Sequence, residues 1–271
     1  MRASSQSTFE AAQERWEPVL LEAGERARAF GEQLFGVADL LDRSAGLRRS
    51  LTDSARPGQD KAALVDRLLA GKVDPAVVDL LGGLARGRWS DEDEFVESVN
   101  RLAVDAVLAA AQNAGRLDRL QDEVFRLERL LASNRELRRA LAQQEATAER
   151  RGALVDQLVQ DKVTPETQVL MHRVVTRAGR VAVGSGLHEV AELAAARRDR
   201  LVATVTAAVP LSRQQIDRLR TTLERAYGQQ LQVNVGVEPS LLGGLRVHVG
   251  DEVIDGSVLA RLEDARRRMA G

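Results

Sequence analysis

The chain has no cysteine, and aromatic side chains make up only 3% of its 271 residues. Without cysteine, disulfide bonds, zinc–thiolate sites and cysteine nucleophiles are excluded. Leucine, valine and alanine must then fill the hydrophobic cores, and an apolar content of 44% is sufficient for that. The first residues lack the apolar core of a signal peptide, and no run approaches the roughly 18 apolar residues of a membrane span. We therefore expect no direct membrane span.

An excess of charge of one sign is also missing. The chain carries 39 basic and 40 acidic residues, for a net charge of -1, which argues against nucleic acid or an anionic membrane as the main partner. The three histidines, His172, His188 and His248, do not have the i, i+4 spacing of a zinc site. We expect them at exposed positions of helices and a strand, and we predict no catalytic residue, no metal site and no cofactor.

An internal repeat is the main feature of the first 200 residues. Residues 35–75 and 125–165 share 15 identities in 41 positions at a constant offset of 90 without a gap. The identities include a block of four, in which Ala63–Asp66 matches Ala153–Asp156. Blocks of this kind at one offset indicate an internal duplication of roughly 80–90 residues. We refer to the two halves as copy one and copy two.

Each copy carries an amphipathic helix near its start, because apolar residues recur there at steps of three and four. The stripes are Phe30, Leu34 and Val37 in copy one, and Leu120, Val124 and Leu127 in copy two. Such a face normally packs against its own core, but a helical bundle can also leave a groove that accepts a partner helix. The sequence does not separate these alternatives, so the six residues are candidates for a groove that binds an α-helix.

Several local signals mark where helices begin. Asp74-Pro75 and Thr164-Pro165 each place a capping side chain before a proline, which is typical of the first turn of a helix. Ser133–Glu136 has the pattern of a capping box that opens the next helix. The alanine-rich stretch Ala103–Ala114 lacks proline and clustered glycine, and we expect it to continue as helix from one copy to the next.

The apolar period changes to two after residue 200, which predicts strands. We predict, in order, a strand at 201–209, a helix that Ser212 and Gln215 cap, strands at 231–237 and 245–249, a short strand piece at 253–254, and a closing helix at 257–269. The predicted protein is therefore mainly α with a small α/β C-terminal domain. Two tandem antiparallel helical bundles, at 1–106 and 107–200, precede a strand–helix–strand–strand–helix module at 201–271.

Two glycine-containing segments have to be separated from functional motifs. Gly243-Gly244 is not followed by Lys-Ser or Lys-Thr and lacks the spacing of a dinucleotide-binding loop. Two glycines between strands more often set turn geometry. Gly184-Ser185-Gly186 lacks the spacing of a nucleophile elbow. We interpret the first segment as a turn and the second as a loop between helices.

The segment 237–257 reads V-E-P-S-L-L-G-G-L-R-V-H-V-G-D-E-V-I-D-G-S. It resembles the C-terminal signature of the δ subunit of bacterial F-type ATP synthases, the counterpart of the oligomycin-sensitivity-conferring protein. The segment 203–212, A-T-V-T-A-A-V-P-L-S, is similar to the entry into the family's C-terminal domain. The resemblance covers residues of about 110–271, and copy one is additional to it. The signature residues that we expect in structural or interface roles are Pro239, Gly243, Gly244, Val247, Gly250, Asp255, Gly256 and Ser257.

The resemblance implies a mechanical role without catalysis. It implies a peripheral-stalk (stator) subunit that links the catalytic head to the b stalk, so that the head resists the torque of the rotor. The implied partners are the N-terminal helices of α subunits and the b subunit, with no nucleic acid. The implied location is peripheral, on the cytoplasmic face of the bacterial plasma membrane.

An alternative from another class is a helical regulatory adaptor that binds a protein or nucleic acid. Arginine clusters at 197–200 and 266–268 motivate it, although cations near the C-terminus of a helix also complement the helix dipole. An enzyme would need paired ionisable groups in a cleft, and no spacing in the sequence supplies them.

Overall fold

The computed structural model describes residues 2–142, 147–198, 201–227, 231–238, 241, 243–249 and 252–255. Helices dominate, and a four-stranded sheet lies in the C-terminal part. The predicted fold class, mainly α with a small α/β domain, is confirmed. The chain divides into two compact units, Met1–Ala195 and Ala196–Gly271.

The helices of the first unit are short to medium in length and follow one another closely. They are α1 (Ala3–Ala23), a 3-10 turn (Gly24–Arg26), α2 (Ala27–Arg43), α3 (Ala45–Thr52), α4 (Gly58–Leu69), α5 (Pro75–Arg86), α6 (Glu92–Asn113), α7 (Leu117–Ser133), α8 (Arg135–Ala142), α9 (Ala148–Val159), α10 (Pro165–Thr176) and α11 (Val183–Arg198).

The duplication is visible in the helix bounds. Each bound of α2 to α5 is repeated 90 residues later by α7 to α10, respectively. The capping contacts repeat as well: an Asp74 carboxylate oxygen accepts from the Ala76 N–H at 2.9 Å, and the Thr164 hydroxyl accepts from the Thr167 N–H at 3.3 Å. Both predicted N-caps are confirmed. Equivalent sequence signals therefore start equivalent helices in both copies.

Two local predictions are wrong. Ser133 ends α7 and donates to the Leu130 carbonyl, while the Asn134 side chain accepts from the Leu137 N–H at 3.0 Å. Asn134 is thus the N-cap of α8, since asparagine caps as well as serine. Gly184-Ser185-Gly186 lies in the first turn of α11 and not in a loop. A Cβ at Gly186 would lie 3.0 Å from Val174, so this glycine permits close packing of α11 on α10.

Helix α6 belongs to both copies. Fifteen of its 22 residues are buried, and it packs against α1, α2 and α10, so it is covered on all sides. The expected helix through Ala103–Ala114 is confirmed as far as Asn113. The predicted boundary between residues 106 and 107 falls inside α6, and buried residues of both copies form one hydrophobic cluster.

A close helix crossing joins α2 to α6. A Cβ on Gly31 would lie 2.6 Å from Val107 Cγ2 and 2.8 Å from the Ala103 carbonyl oxygen. Only glycine fits at this crossing, because the backbone of one helix meets the surface of the other. The long shared helix is thereby fixed against the first helix of copy one.

The second unit contains a mixed sheet. Its elements are β1 (Leu201–Ala207), α12 (Arg213–Tyr227), β2 (Leu231–Val237), β3 (Leu245–Val249) and β4 (Glu252–Asp255). The strand order is β2-β1-β3-β4, with β1 parallel to β2 and antiparallel to β3, and with β3 antiparallel to β4. The predicted strands are therefore confirmed, and the short piece at 253–254 belongs to β4. The predicted closing helix at 257–269 lies outside the described residues.

Helix α12 packs its apolar face on the sheet. Leu219 and Leu223 contact a small core with Val205 and Val247 as neighbouring members. The predicted capping box at the start of the helix is confirmed, since the Ser212 N–H donates to Gln215 Oε1 at 2.8 Å and the Gln215 N–H donates to the Ser212 hydroxyl at 3.3 Å. These reciprocal bonds define the N-terminus of α12.

Candidate functional site

The six candidate groove residues lie in or against the core of the chain itself. Phe30, Leu34, Val37, Leu120 and Val124 are buried, and Leu127 is half-buried and packs against the same cluster. The physical reason is the ordinary one, because the apolar stripe of a helix packs on the core of its own unit. Their role in binding a partner helix stays a prediction.

The signature residues that the structure describes form the β3 turn and its neighbours. Gly243 and Gly244 have φ angles of 123° and 87°, a region that favours glycine, so they set the turn before β3. Val247 is buried and pairs with Val205 on β1, and Asp255 ends β4. Pro239, Gly250, Gly256 and Ser257 lie outside the described residues.

A charged contact joins α10 of copy two to copy one. Arg173 donates to Asn100 Oδ1 at 2.8 Å and to Asp39 Oδ1 at 2.5 Å, and its guanidinium lies 4.8 Å from the ring centroid of Phe35. Arg177 donates to Glu97 at 2.9 Å. Arg173 on α10 and Arg177, its C-cap residue, thus meet carboxylates, an amide and a ring on α2 and α6.

The same contact continues beyond the end of α10, where Arg180 lies 2.8 Å from an Asp42 carboxylate oxygen. We call the surface that receives these arginines the copy-one face; it consists of Phe35, Asp39, Asp42, Glu97 and Asn100. Burial lowers the pKa of the Arg173 guanidinium, while Asp39, its hydrogen-bond acceptor, has the opposite effect. The cation is therefore desolvated, and its partners offset only part of that cost, since Nη2 of Arg173 has no acceptor among the described residues.

The equivalent surface of copy two is exposed except at Glu128, which is half-buried. We call it the copy-two face; it consists of Phe125, Glu128 and Arg129 on α7, and His188 and Glu192 on α11. At the offset of 90, Phe125 corresponds to Phe35, and their exposed fractions are 57% and 7%. At the offset of 92 that relates Gly87-Arg88 to Gly179-Arg180, Glu192 corresponds to Asn100. Its side chain is 71% exposed, whereas Asn100 is 6% exposed.

The charges of the copy-two face lie in two parts. His188 is 3.4 Å from Glu128 and 3.5 Å from Glu192, so it bridges α7 and α11. Arg129 lies over the Phe125 ring, 5.9 Å from its centroid. The α11 side is thus acidic around Glu192, and the α7 side presents a cation beside an exposed aromatic ring.

Beside this face, Glu189 on α11 is half-buried. Burial raises the pKa of its carboxyl, and the negative charge of Glu97 adds to the increase. Arg101 and Arg177 act in the opposite direction. A half-buried carboxylate with a raised pKa gains from an added cation nearby.

The described residues do not assemble a reactive centre. His172 pairs with Asp156 at 2.9 Å, but its ring packs over Gly152, where a Cβ would lie 2.5 Å from it, so the pair is explained by packing. No group of three or more histidine, aspartate or glutamate side chains that could hold a metal occurs among the described residues. Within the same residues, no helix combines the length and hydropathy needed to cross a bilayer.

Comparison with known proteins assigns the family. The family model described as ATP synthase delta (OSCP) subunit matches residues 99–269. The chain belongs to this family. A relative named ATP synthase subunit delta from Beutenbergia cavernae is 53% identical over 271 residues, with 100% of both chains covered. Another with that name, from Streptomyces griseus, is 45% identical with the same coverage. The family supplies structural subunits of ATP synthase and not catalytic ones.

A solved structure described as the mitochondrial ATP synthase hexamer of Toxoplasma gondii contains a similar chain. It is 20% identical, with a TM-score of 0.26, and the match covers 62% of this chain and 95% of that one. The relatives above match copy one as well as copy two, so the duplicated arrangement is shared with them.

Sequence reasoning missed the copy-one face and the copy-two face. The signal was present, because Phe35 and Phe125 are an identical pair in the repeat. The sequence does not show which helix packs on each of the two surfaces. Arg173 has Gly83 as its counterpart in copy one at the offset of 90, and a Cβ at Gly83 would lie 3.4 Å from the Arg15 guanidinium on α1. The copy-one helix that corresponds to α10 therefore carries no arginine at this position.

Proposed function

We propose that this chain is the peripheral-stalk (stator) subunit of a bacterial F-type ATP synthase, linking the catalytic head to the b stalk so that the head resists rotor torque. The observation that carries the proposal is the match over the whole chain to relatives named ATP synthase subunit delta. In this role the chain is peripheral, on the cytoplasmic face of the plasma membrane, as part of the complex.

Stiffness is the physical requirement of such a linker, and the first unit has several sources of it. One hydrophobic cluster contains buried residues of both copies, and close-packed interiors have low compressibility. The shared helix α6 is fixed to α2 at Gly31. The arginines of α10 add directional, charge-assisted bonds between the copies. Torque applied at one end would meet a continuous packed body.

Attachment to the head requires a surface for a partner helix, and the copy-two face fits this role. We assign it to the N-terminal helix of an α subunit. Phe125 supplies an exposed aromatic anchor, a residue type that often dominates binding energy. In copy one the equivalent face already receives a helix, α10. The second unit, with its sheet and α12, is then assigned to the b subunit.

The test uses the full chain and two partners. The folded chain should be retained by an immobilised peptide of the α-subunit N-terminus. It should also be retained by an immobilised C-terminal segment of the b subunit, with both baits taken from the same organism. A strain in which the gene is deleted should lose coupled ATP synthesis, and the wild-type gene should restore it. Failure of the folded chain to bind either partner, together with unimpaired synthesis in the deletion strain, would overturn the proposal.

A further inference from the structure

Helices α3 and α8 are equivalent in the repeat, but they are held to their neighbours in different ways. We propose that α8 is a lid that opens locally while the rest of the first unit stays closed, whereas an arginine and a carboxylate hold α3 shut. The inference concerns the chain by itself and does not depend on the partners of the proposed function.

Arg48 holds α3 in place in copy one. Its Nη1 donates to the Leu41 carbonyl at 2.8 Å and to the Asp42 carbonyl at 3.0 Å, both in the last turn of α2. Its Nε forms an ion pair with Glu92, the first residue of α6, at 3.5 Å. A cation at the C-terminus of a helix satisfies its last carbonyls and complements its dipole. Arg48 therefore joins α3 to α2 and to α6.

The same tie is incomplete in copy two. Arg138 stands at the place of Arg48 at the offset of 90, but Gly184 stands at the place of Glu92 at the offset of 92. Because glycine supplies no carboxylate, α11 cannot hold Arg138 as α6 holds Arg48. The side chain of Arg48 is 16% exposed, whereas Arg138 is an exposed residue.

Without this tie, α8 depends on its apolar contacts. Leu141 is a buried member of the shared hydrophobic cluster, and Leu137 is half-buried and packs against it. A helix of eight residues is too short to be stable by itself in water. The order of α8 is therefore set by two leucines, while α3 has the equivalent leucines, Leu47 and Leu51, and the arginine tie as well.

The opening is confined to α8 because the next helix, α9, is fixed. Arg151 on α9 is 7% exposed and donates to the carbonyls of Val175, Thr176 and Ala178 at the end of α10. The packing of α6 against α1, α2 and α10 does not involve α8. Opening of α8 is thus a local event with a lower free energy than global unfolding.

The consequence is an apolar surface that copy two uncovers transiently and copy one does not. When α8 moves away, Leu141 leaves the cluster and the C-terminal end of α7 loses its cover. Leu131 is buried at that end, beside Leu130, which is 48% exposed. The lid therefore controls how much apolar surface copy two presents to solvent.

The experiment is hydrogen–deuterium exchange of backbone amides in the full chain at neutral pH. Equivalent amides are compared, residues 48–51 with residues 138–141; in each set the first N–H bonds to the capping residue at 3.1 Å, Arg48 to Ser44 and Arg138 to Asn134. After correction for intrinsic rates, the α8 amides should exchange at least about tenfold faster than the α3 amides. Equal protection of the two helices would overturn the proposal.

A substitution in α11 tests the cause of the difference. Gly184→Glu supplies the missing carboxylate, and a Cβ at this position meets nothing within 4 Å, so the variant is expected to fold. It should slow exchange in α8 by about tenfold, and Arg138→Ala in the same background should abolish the gain. Gly184→Gln is the matched control, because it has the same size without the charge, and it should leave most of the difference.

The reverse change is made in copy one. Glu92→Gln should speed exchange in α3 by about tenfold and leave exchange in α8 unchanged. Equal slowing of α8 by Gly184→Glu and Gly184→Gln would show that helix propensity and not the ion pair is responsible, which would overturn the assignment of the tie. Unchanged exchange in α3 after Glu92→Gln would overturn it as well.

Discussion

Replacement of Glu123 by glutamine should change how the stability of the protein depends on acid. Glu123 lies on α7 and is buried. Its carboxylate accepts from the Thr164 N–H at 2.8 Å, from the Thr164 hydroxyl at 2.9 Å and from Arg119 Nε at 2.9 Å. Glu123 therefore holds Thr164, the N-cap residue of α10, in place. The equivalent contact in copy one has no charged acceptor, because the Asp74 N–H donates to Gln33 Oε1 at 2.8 Å.

The sign of the effect follows from the pKa of Glu123. Burial raises the pKa of this carboxyl, but the hydrogen bonds from Thr164, Thr167 and Arg119 outweigh burial, and the net pKa is lower than the ordinary value of 4.5. A carboxyl with a lower pKa in the folded state stabilises the fold above the unfolded-state pKa. This contribution is lost as the pH falls through the folded-state pKa.

The magnitude comes from the hydrogen bonds. A bond to a charged group contributes about 1.5–3 kcal/mol, and a neutral bond about 0.5–1.5 kcal/mol. Glu123→Gln keeps an acceptor for Thr164 and loses the charge, so the free energy of unfolding should fall by about 1–2 kcal/mol at pH 7. Glu123→Leu leaves the Thr164 N–H without an acceptor and should cost about 2–4 kcal/mol.

The assay is urea unfolding, followed by circular dichroism, at a series of pH values from 7 to 3. The difference between the wild type and Glu123→Gln should be largest above pH 4.5 and should shrink below it. Gln33→Leu is the matched control, because it removes the equivalent acceptor in copy one without removing a charge. A Glu123→Gln variant whose stability falls with acid as steeply as that of the wild type would refute the reasoning.

Three further predictions concern packing and buried cations. Gly31→Ala should lower the free energy of unfolding by about 1–3 kcal/mol, because the new Cβ would lie 2.6 Å from Val107. Gly36→Ala, on the same helix with nothing within 4 Å, should instead stabilise by about 0.5–1 kcal/mol; equal effects in thermal unfolding would contradict the account of the α2–α6 crossing. Arg173→Met should cost about 1.5–3 kcal/mol, since it removes the donor of the buried Asn100 and of the partly exposed Asp39. A double-mutant cycle with Asp39→Asn should show coupling, and additive effects would count against the contact. Burial lowers the pKa of Lys61 from 10.5, and the charge of Asp53 opposes this shift. The free energy of unfolding should therefore rise with pH between the folded-state pKa and 10.5, by at most about 1.4 kcal/mol per pH unit. Lys61→Met should remove this rise, and an unchanged pH dependence of unfolding in the variant would disprove the account.

Local signals in the sequence were sufficient for much of the fold. The capping residues at 74 and 164 predicted helix starts, and the alternation in 231–237 and 245–249 predicted two strands that the structure confirms. Gly243 and Gly244 were identified as turn residues, and their φ angles confirm it. These features depend on neighbouring residues in the chain, and for that reason a single sequence contains them.

Features that depend on distant residues were not predictable in the same way. The apolar stripe that includes Phe30 could face a core or a partner from its spacing alone, and the packing of α2 on α6 depends on residues far along the chain. Ser133 and Asn134 are both good N-caps, and one residue of difference in the length of α7 selects the second. The contact of Arg173 with Asp39 spans 134 positions, and no spacing rule connects residues so far apart.

Helix α6 has a consequence for how the chain comes apart. Helix α6 is the last helix of copy one and also packs against helices of copy two. Unfolding of either copy would therefore remove part of the packing surface of the other. The first unit should therefore lose its structure in a single cooperative step, without a hinge at which one repeat could yield before its neighbour. Deletion of one repeat would therefore expose the part of the α6 surface that this repeat covers in the full chain.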